Sequence, residues 1–331
     1  MNAPSTFKQG ARATVAPLFC RPWTLNGISA RLIESHYENA YGNAVARLNA
    51  IRDDIDALDP ADTSPEVVRH LKQEELELLN SRLLHELYFS SLGGDGREIP
   101  APMEDALTRD FGSSQRWRRQ FEAMACAFRD RAGWVLLTYL PRDGRLINQI
   151  GTDHAQHIAG GIPILALDMY EHAYQLEFGP NAQAYVAAFL RNIDWPAVLL
   201  RYEDATKVLP MRPLEQPQFR DLPSITAEEV RSMRDSGVPM HLIDVRPRHY
   251  ATRSNEIVDG AVWKDPERVA EWVHEVPKDV PVVTFCAYGF HIGCETATAL
   301  RNVGIDARYM SGGHYAWKAL KGPVKLFEQS G

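Results

Sequence analysis

Three histidines and one aspartate lie where side-chain packing alone would favour apolar residues. His36 is on the apolar face of one helical stretch, and His85 lies within the apolar run LLHELYF of another. Asp168 and His172 follow the apolar run PILAL, in the segment DMYEHAY. A single histidine on such a face is more often a core residue. A buried carboxylate, however, needs a cation or several donors, and three imidazoles with one carboxylate suit a first-row transition metal. We therefore predict a metal site.

A second candidate for chemistry is Cys286, which lies where the apolar segment VVTF gives way to a loop that precedes a helix. Backbone N–H groups converge at such a place and stabilise a thiolate, so Cys286 is a candidate nucleophile. The alternative is a cysteine that only packs. The other cysteines, Cys20, Cys126 and Cys294, do not complete a disulfide framework, and we expect reduced thiols.

The composition is that of a globular protein large enough for two domains. The chain has 331 residues, of which 45% are hydrophobic and 24% are charged. Its formal net charge of -7 argues against a general nucleic-acid binder, because such a protein needs a basic face. The sequence has neither a signal-peptide core at its N-terminus nor an apolar stretch of membrane-spanning length. We therefore expect a cytoplasmic protein without nucleic-acid or membrane partners.

The apolar pattern of the first part of the chain predicts a helical hairpin followed by a mixed lobe. A helical stripe over residues 28–51 follows the capping signal NGIS, and a second helix begins at about residue 64 with a proline in its first turn. The short connection predicts an antiparallel pair. The segments GWVLLTYL, RLINQIGT and IPILALD predict strands, the first two forming a hairpin around Asp143 and Gly144. The segments MYEHAYQLEF and AQAYVAAFLRNIDWPAVLLRYEDA predict further helices.

The proline-rich segment 208–222, VLPMRPLEQPQFRDL, predicts a linker. Beyond it, strand patterns alternate with helical ones, which indicates a parallel sheet. The predicted fold class is an α+β domain, with a helical hairpin and an α/β lobe that carries a three-stranded antiparallel sheet, followed by an α/β domain. The predicted boundaries are 1–207, with the hairpin at about 28–92 and the lobe at about 100–207, and 223–331.

Residues 23–207 resemble the iron/manganese superoxide dismutases. The resemblance rests on GISARLIESHY, NSRLLHELYFSSLGG, AGWVLLTYL, GIPILALDMYEHAY and NIDWPAVLLRYEDA. It implies one iron or manganese ion per chain, held by the three histidines and the aspartate named above, and conversion of superoxide to dioxygen and hydrogen peroxide. The same four ligands bind either metal, so the choice stays open. It also implies a homodimer or tetramer in which Glu171 reaches a ligand histidine of the partner subunit, with Tyr174 beside it.

The same resemblance assigns residues around the ion. Trp134 and Tyr170 wall the pocket, and Tyr170 stands where the family usually has a tryptophan. His154, in the segment IGTDHAQHIAGG, stands where some members place a histidine that tunes the metal. A loop histidine in solvent is the alternative.

Other positions depart from the family pattern. The family usually has a histidine and a tyrosine four and eight residues after the first ligand, where this chain has Ala40 and Ala44. Ser81 stands where many iron enzymes have a glutamine. Tyr41 is a candidate to replace part of that network. Arg201 is a candidate cation for attracting superoxide, and a solvated helix cation is the alternative.

Residues 223–325 resemble the rhodanese family, through LIDVR, GAV, VVTFCAYG, TALRNVG and GGHYAW. The family cysteine accepts a sulfur atom as a persulfide and passes it to a thiol or to cyanide, so the resemblance implies that Cys286 is the nucleophile. Asp244 and Arg246 end the preceding buried strand, and Arg246 or His291 is a candidate to stabilise the thiolate or persulfide. A surface charge is the alternative for either residue. The loop that holds the nucleophile contains Ala287, Tyr288, Gly289, Phe290 and His291.

The loop departs from the ordinary pattern by one extra residue between Cys286 and Gly304. A longer loop is typical of related phosphatases, but these need an arginine six residues after the cysteine to grip phosphate. That position is Ile292, which disfavours phosphate chemistry. Cys294, in the first helical turn, either resolves the persulfide as a disulfide or is a small helix residue.

We interpret the chain as a superoxide dismutase fused to a sulfurtransferase-like module, with a role in oxidative or reactive-sulfur stress. Its partners would be superoxide and sulfur-donor or sulfur-acceptor thiols. One alternative is a sulfurtransferase whose first domain is a metal-binding dimerisation scaffold. Another is a protein whose two sites are vestigial and that only senses metal or oxidant.

Overall fold

The computed structural model describes most of the chain in two compact units, residues 1–211 and 212–331. The described residues are 12–18, 20–59, 61–128, 131–208, 217–219 and 221–327. The predicted linker 208–222 falls mainly outside these ranges and stays a prediction. The cysteines Cys20, Cys126, Cys286 and Cys294 are free thiols. Within the described ranges, no helix is both long enough and apolar enough to cross a bilayer.

A helical hairpin opens the first unit. Its first arm consists of α1 (Ala30–Ser35), a π-helical turn (His36–Tyr41) and α2 (Gly42–Ala57), and its second arm is α3 (Pro65–Ser90). The side chains of Ser29 and Ser64 accept hydrogen bonds from the first turns of α1 and α3, as the capping signals predicted. Because a π turn holds one residue more than an α turn, it shifts the faces that precede and follow it. The sequence periodicity did not reveal this shift.

The lobe packs helices around a three-stranded antiparallel sheet. The strands β1 (Trp134–Leu140), β2 (Arg145–Gly151) and β3 (Ile162–Asp168) stand in the order β2-β1-β3. The first two strands form the predicted hairpin, and Gly144 supplies a positive φ of 63° at the turn. The helices of the lobe are α4 (Ala101–Phe111), α5 (Ser114–Cys126), α6 (Gln175–Phe178), α7 (Ala182–Leu190) and α8 (Trp195–Thr206).

Two sequence expectations for this lobe need correction. The segment MYEHAYQLEF is not one helix, since a short 3₁₀ turn (Glu171–Ala173) is followed by the four-residue α6. Arg201 is neither a free surface cation nor part of a basic entrance. Its guanidinium donates to the carbonyls of Ile164 and Ser90 and so ties α8 to β3 and to the end of α3. Burial lowers its pKa to about 10.

The second unit is built on a parallel sheet, as the alternating pattern predicted. Five strands stand in the order β4-β9-β8-β5-β7, and β6 pairs with β10 in a separate antiparallel ladder. The strands are β4 (Ser224–Thr226), β5 (His241–Asp244), β6 (Glu256–Val258), β7 (Ala261–Trp263), β8 (Val282–Phe285), β9 (Ala307–Ser311) and β10 (Val324–Leu326). The helices are α9 (Ala227–Asp235), α10 (Arg248–Ser254), α11 (Val269–Trp272), α12 (Ile292–Asn302) and α13 (Gly313–Ala319).

Candidate metal centre and candidate sulfur site

Four elements of the first unit bring the predicted metal ligands together. His36 begins the π turn, His85 lies in the last third of α3, Asp168 ends β3, and His172 lies in the 3₁₀ turn that follows. The first three side chains are almost completely buried, whereas that of His172 is 36% exposed. Residues more than 130 positions apart in the chain therefore share one enclosed site.

The ligand atoms converge on one point. Asp168 Oδ2 lies 3.0 Å from His36 Nε2, 3.4 Å from His85 Nε2 and 3.1 Å from His172 Nε2. One potential ligand atom from each of the four residues lies within 4.8 Å of every other. This set of donors is compact enough for a single ion to contact all of them.

His85 offers a lone pair to the centre of the cluster. His85 Nδ1 lies 2.6 Å from the carbonyl oxygen of Ser81, which can only accept, so Nδ1 carries the proton. Burial lowers the pKa of His85 to about 3, so the ring is neutral and Nε2 presents a bare lone pair. That lone pair faces the carboxylate of Asp168 and, at 3.3 Å, Nε2 of His172. His85, Asp168 and His172 would therefore hold a metal ion through these atoms.

The remaining ionisable groups agree with a cation-binding site. Burial disfavours the carboxylate form of Asp168, but the neighbouring imidazoles of His172 and His36 outweigh burial and hold its pKa well below the usual range. Burial lowers the pKa of His36. It acts in the same direction on His172, but the charge of Asp168 and the hydrogen bond to it leave that pKa raised. The cluster therefore holds one negative charge and at least two neutral imidazoles at pH 7.

Backbone and aromatic groups fix Asp168 in place. Its Oδ1 accepts the N–H of Tyr170 at 2.8 Å, and its carbonyl accepts the hydroxyl of Tyr185 at 2.9 Å. Trp134 is its cross-strand partner in the β1–β3 ladder and packs edge-on against the His85 ring, 5.3 Å away. Such surrounding contacts orient metal ligands and tune the ion.

Tyr170 lies in a stack of three rings beside the cluster. Its ring is parallel to that of His154, at 4.7 Å and 4°, and to that of His172, at 5.4 Å and 10°. Trp134 Nε1–H donates to His154 Nδ1 at 3.0 Å, so a neutral His154 carries its proton on Nε2. Burial lowers the pKa of His154, which favours that neutral form.

A cavity of about 440 Å³ reaches the ligands His85 and His172 and the ring of His154. Ala40 and Ala44 line it, and Ser81 lies beside His85 at its base. Small side chains at these positions leave space that larger ones would fill.

Tyr41 is directed away from this opening. Its hydroxyl accepts the N–H of Ala16 at 2.6 Å and donates to Glu86 at 2.8 Å, and its ring is 6.3 Å from that of His85. We therefore do not propose that Tyr41 replaces the histidine and tyrosine that the family usually has where this chain has Ala40 and Ala44.

The sequence analysis missed the acidic side chains of the cavity. Glu74 and Glu77 line it, and Glu74 pairs with Arg47 at 2.6 Å. Glu77 accepts a hydrogen bond from the Gln73 amide at 3.2 Å. Helical spacing could have identified them, since Glu77, Ser81 and His85 recur every four residues along one face of α3.

The side chains predicted to lie at a subunit interface differ in exposure. Glu171 is exposed beside the partly exposed His172. Tyr174 is buried and stacks on Tyr185, with ring centroids 5.3 Å apart. Of the two side chains predicted at the interface, Glu171 is therefore the exposed one.

In the second unit, Cys286 is buried directly after β8. The N–H of Gly289 donates to its Sγ at 3.3 Å. The first turn of α13 holds the loop, because the N–H groups of His314 and Tyr315 donate to the carbonyls of Cys286 and Ala287. Gly289 has a φ of +68°, and a Cβ there would lie 2.4 Å from the carbonyl oxygen of Met310. The loop has little freedom to move away from the thiol.

The structure corrects the expectation that Arg246 stabilises the Cys286 sulfur. Arg246 is buried, and its guanidinium donates twice to Asp244 through Nε and once through Nη2, at 2.6–3.0 Å. Its remaining donors go to Ser254, His314 and the carbonyl of Glu256. This buried pair therefore has a structural role.

The other two predicted loop residues have separate environments. His291 is half exposed and lies 3.4 Å from Glu295. Cys294 is buried at the start of α12, and burial raises its pKa to about 12. The small-helix-residue alternative therefore suits Cys294 better than a resolving role.

Comparison with known proteins agrees with this geometry. Residues 100–201 match the family model for the C-terminal domain of iron/manganese superoxide dismutases, and residues 226–320 match the rhodanese-like domain. The iron superoxide dismutase of Cupriavidus metallidurans is 51% identical over 191 residues, which cover 58% of this chain and 96% of that protein. The iron superoxide dismutase of Aquifex aeolicus is 34% identical over 194 residues, covering 56% and 90%. A manganese superoxide dismutase of Halobacterium salinarum is 35% identical over 130 residues, covering 39% and 64%.

The fold and the ligand cluster define a metal-binding module joined to a rhodanese-like one. The chain belongs to the iron/manganese superoxide dismutase family. Both resemblances seen in the sequence are confirmed.

Proposed function

We propose that the first unit is a metal-dependent superoxide dismutase that uses one iron or manganese ion per chain. The observation that carries the proposal is the bare Nε2 lone pair of His85, fixed by its Nδ1–H bond to Ser81 and aimed at the carboxylate of Asp168. The names of the relatives support the reaction, and they support both metals. When bound, the ion would take an electron from one superoxide and give an electron to a second.

The chain itself must supply the protons that the reaction consumes. Formation of hydrogen peroxide requires two protons, and the Nε2–H of His154 is a donor on a ring that lines the cavity. Trp134 keeps this tautomer by occupying Nδ1. Tyr170 separates His154 from His172 and holds both rings parallel. Trp134 and Tyr170 therefore orient His154, and His154 would donate a proton to the reduced superoxide in the cavity.

The segment 171–172 also supports a dimer. Glu171 is exposed next to a ligand whose side chain is 36% exposed, so Glu171 of a second copy would cover His172 and accept a hydrogen bond from its Nδ1–H. We propose a homodimer through this face. Sedimentation should detect a dimer that Glu171→Ala weakens, whereas Glu203→Ala, at an exposed carboxylate on α8, serves as the control.

A direct experiment compares metal content and superoxide consumption in the wild type, in His85→Ala and in His70→Ala. His70 is an exposed histidine on the same helix and controls for the loss of an imidazole. His85→Ala should lose both metal and activity, while His70→Ala should keep both. Equal activity in all three proteins would refute the proposal.

A second function is supported by the Cys286 loop. We propose that Cys286 carries sulfur as a persulfide, because its thiol sits on a fixed loop with a backbone donor at the sulfur. Such thiol chemistry, together with four free cysteines, suits the reducing cytoplasm. Cys286→Ser should abolish sulfur transfer to cyanide, and Cys126→Ser should not. If Cys286→Ser transfers sulfur as fast as the wild type, this function is excluded.

A further inference from the structure

The loop around Cys286 carries an unusual number of exposed aromatic rings. Tyr288, Phe290 and Tyr315 are 50%, 51% and 51% exposed. The rings of Tyr288 and Tyr315 are parallel, 5.0 Å apart and inclined by 3°, and Phe290 is 6.3 Å from Tyr288. A cluster of exposed aromatic side chains is typical of a binding surface.

These rings are fixed relative to the thiol. Tyr288 and Phe290 flank Gly289, whose N–H contacts the Cys286 sulfur. The N–H of Tyr315 is bonded to the carbonyl of Ala287 at 3.1 Å. The three rings therefore belong to the loop that carries the thiol and to the helix turn bonded to that loop.

The residues of the loop itself disfavour an inorganic donor. Thiosulfate is a dianion, and its capture requires cationic donors. The loop CAYGFH contains neither lysine nor arginine. His291 lies 3.4 Å from the carboxylate of Glu295, and the guanidinium of Arg246 is bonded to Asp244. The exposed aromatic rings beside Cys286 suit a sulfur donor that carries an organic group.

We propose that the sulfur donor of Cys286 is an organic hydropersulfide, R–S–SH, whose carbon group R packs against Tyr288 and Tyr315. This inference rests on the proposed sulfur-transfer function. The Cys286 thiolate attacks the outer sulfur, a new bond forms between Sγ and that sulfur, and the bond to the inner sulfur breaks. The electron pair leaves as R–S⁻, which takes a proton from water. The outer sulfur moves without a change in oxidation state, so the step needs no oxidant.

The test compares benzyl hydropersulfide with thiosulfate as donors, with cyanide as the acceptor, on the full chain. For the wild type, kcat/KM should be at least about tenfold higher with benzyl hydropersulfide, since a stacked ring and the absence of a dianion both favour it. Tyr315→Ala and Tyr288→Ala should each raise KM for benzyl hydropersulfide about fivefold and leave the KM for thiosulfate unchanged. Tyr288→Phe should behave as the wild type, because the ring and not the hydroxyl is used.

Leu326→Ala is the matched control, because it removes another exposed apolar side chain of the same unit. It should change neither KM, and circular dichroism should find all variants folded. Equal or better use of thiosulfate by the wild type, or an unchanged KM for benzyl hydropersulfide in both alanine variants, would overturn the inference while leaving sulfur transfer in place. Full activity of Cys286→Ser would instead remove the sulfur-transfer function itself.

Discussion

The Nδ1–H of His85 donates to the carbonyl of Ser81, 2.6 Å away on the preceding turn of the same helix. Because this bond fixes the tautomer, the ring can offer only its Nε2 lone pair to the centre of the cluster. Asp168 Oδ2 is 3.4 Å from that lone pair. The helix backbone thus prepares one ligand for a metal ion before any ion arrives.

Metal binding should weaken as the pH falls, and His172 should be the group responsible. The pKa of His172 is raised in the metal-free fold. Its protonated form therefore stabilises that fold, fully so at pH values below the ordinary histidine pKa of about 6.5. This contribution disappears as the pH rises through the raised pKa. A bound ion has the opposite requirement, since it needs the neutral ring. His85, with a pKa of about 3, stays neutral throughout this range.

The thermal shift between metal-loaded and metal-free protein should therefore shrink when the pH is lowered from 8 to 5.5. Differential scanning calorimetry at several pH values measures it. A shift that stays constant or grows toward acid would contradict the role given to His172.

His154 should affect the reaction more than the binding of the ion. His154→Leu removes the Nε2–H donor from the cavity while leaving the four ligands in place, so activity should fall about tenfold with metal content retained. Trp134→Phe frees Nδ1 and should produce a smaller loss. Elemental analysis and superoxide consumption on the same samples separate the two effects. Loss of metal in His154→Leu would assign it a ligand-holding role instead.

The acidic cavity should slow the approach of superoxide. Glu74 pairs with Arg47, whereas Glu77 accepts a hydrogen bond from the neutral Gln73 amide, so Glu77→Gln should raise kcat/KM roughly two- to fivefold at low salt. The gain should disappear at high ionic strength. Glu66→Gln, at an exposed position in the first turn of the same helix, is the control. An unchanged or lower rate for Glu77→Gln at low salt would show that this carboxylate does not face the substrate path.

Cys294 should be inert in the folded protein. Burial raises its pKa to about 12, so almost no thiolate exists at pH 8, and iodoacetamide should leave it unmodified. Cys294→Ala should transfer sulfur at the wild-type rate. Peptide mass spectrometry after alkylation, with Cys126 as the partly exposed reference, provides the measurement. Rapid labelling of Cys294 would restore the idea that it resolves the persulfide.

The two arms of the helical hairpin, the three strands of the lobe and the ligand positions followed from local signals in the sequence, whereas α4 and α5 were not predicted. Ser29 and Ser64 are N-cap residues at the starts of two helices. Apolar runs that end in a carboxylate or a thiol indicate the ends of strands. Three-dimensional placement of polar groups did not follow from such signals. The pairing of Arg246 with Asp244 depends on the burial of both side chains, and the burial of Arg201 depends on carbonyls contributed by two other elements.

The π turn at His36 could not be predicted, because apolar spacing tolerates one inserted residue within a long stripe. The parallel stack of His154, Tyr170 and His172 joins a loop to a 3₁₀ turn, and no sequence spacing relates them. The stacking of Tyr288 on Tyr315 near Cys286 could not be predicted either, since it depends on the packing of α13 against the loop.

The central claim is that one redox ion is held by His36, His85, Asp168 and His172. Elemental analysis of the purified wild type and of Asp168→Ala, combined with superoxide consumption, tests it most directly. The account predicts about one iron or manganese ion per wild-type chain, and loss of both the ion and the activity in Asp168→Ala, since removal of a ligand should cost more than the roughly 10- to 100-fold typical of outer partners. A wild-type protein that consumes superoxide without iron or manganese, or an Asp168→Ala variant that keeps its metal, would contradict it.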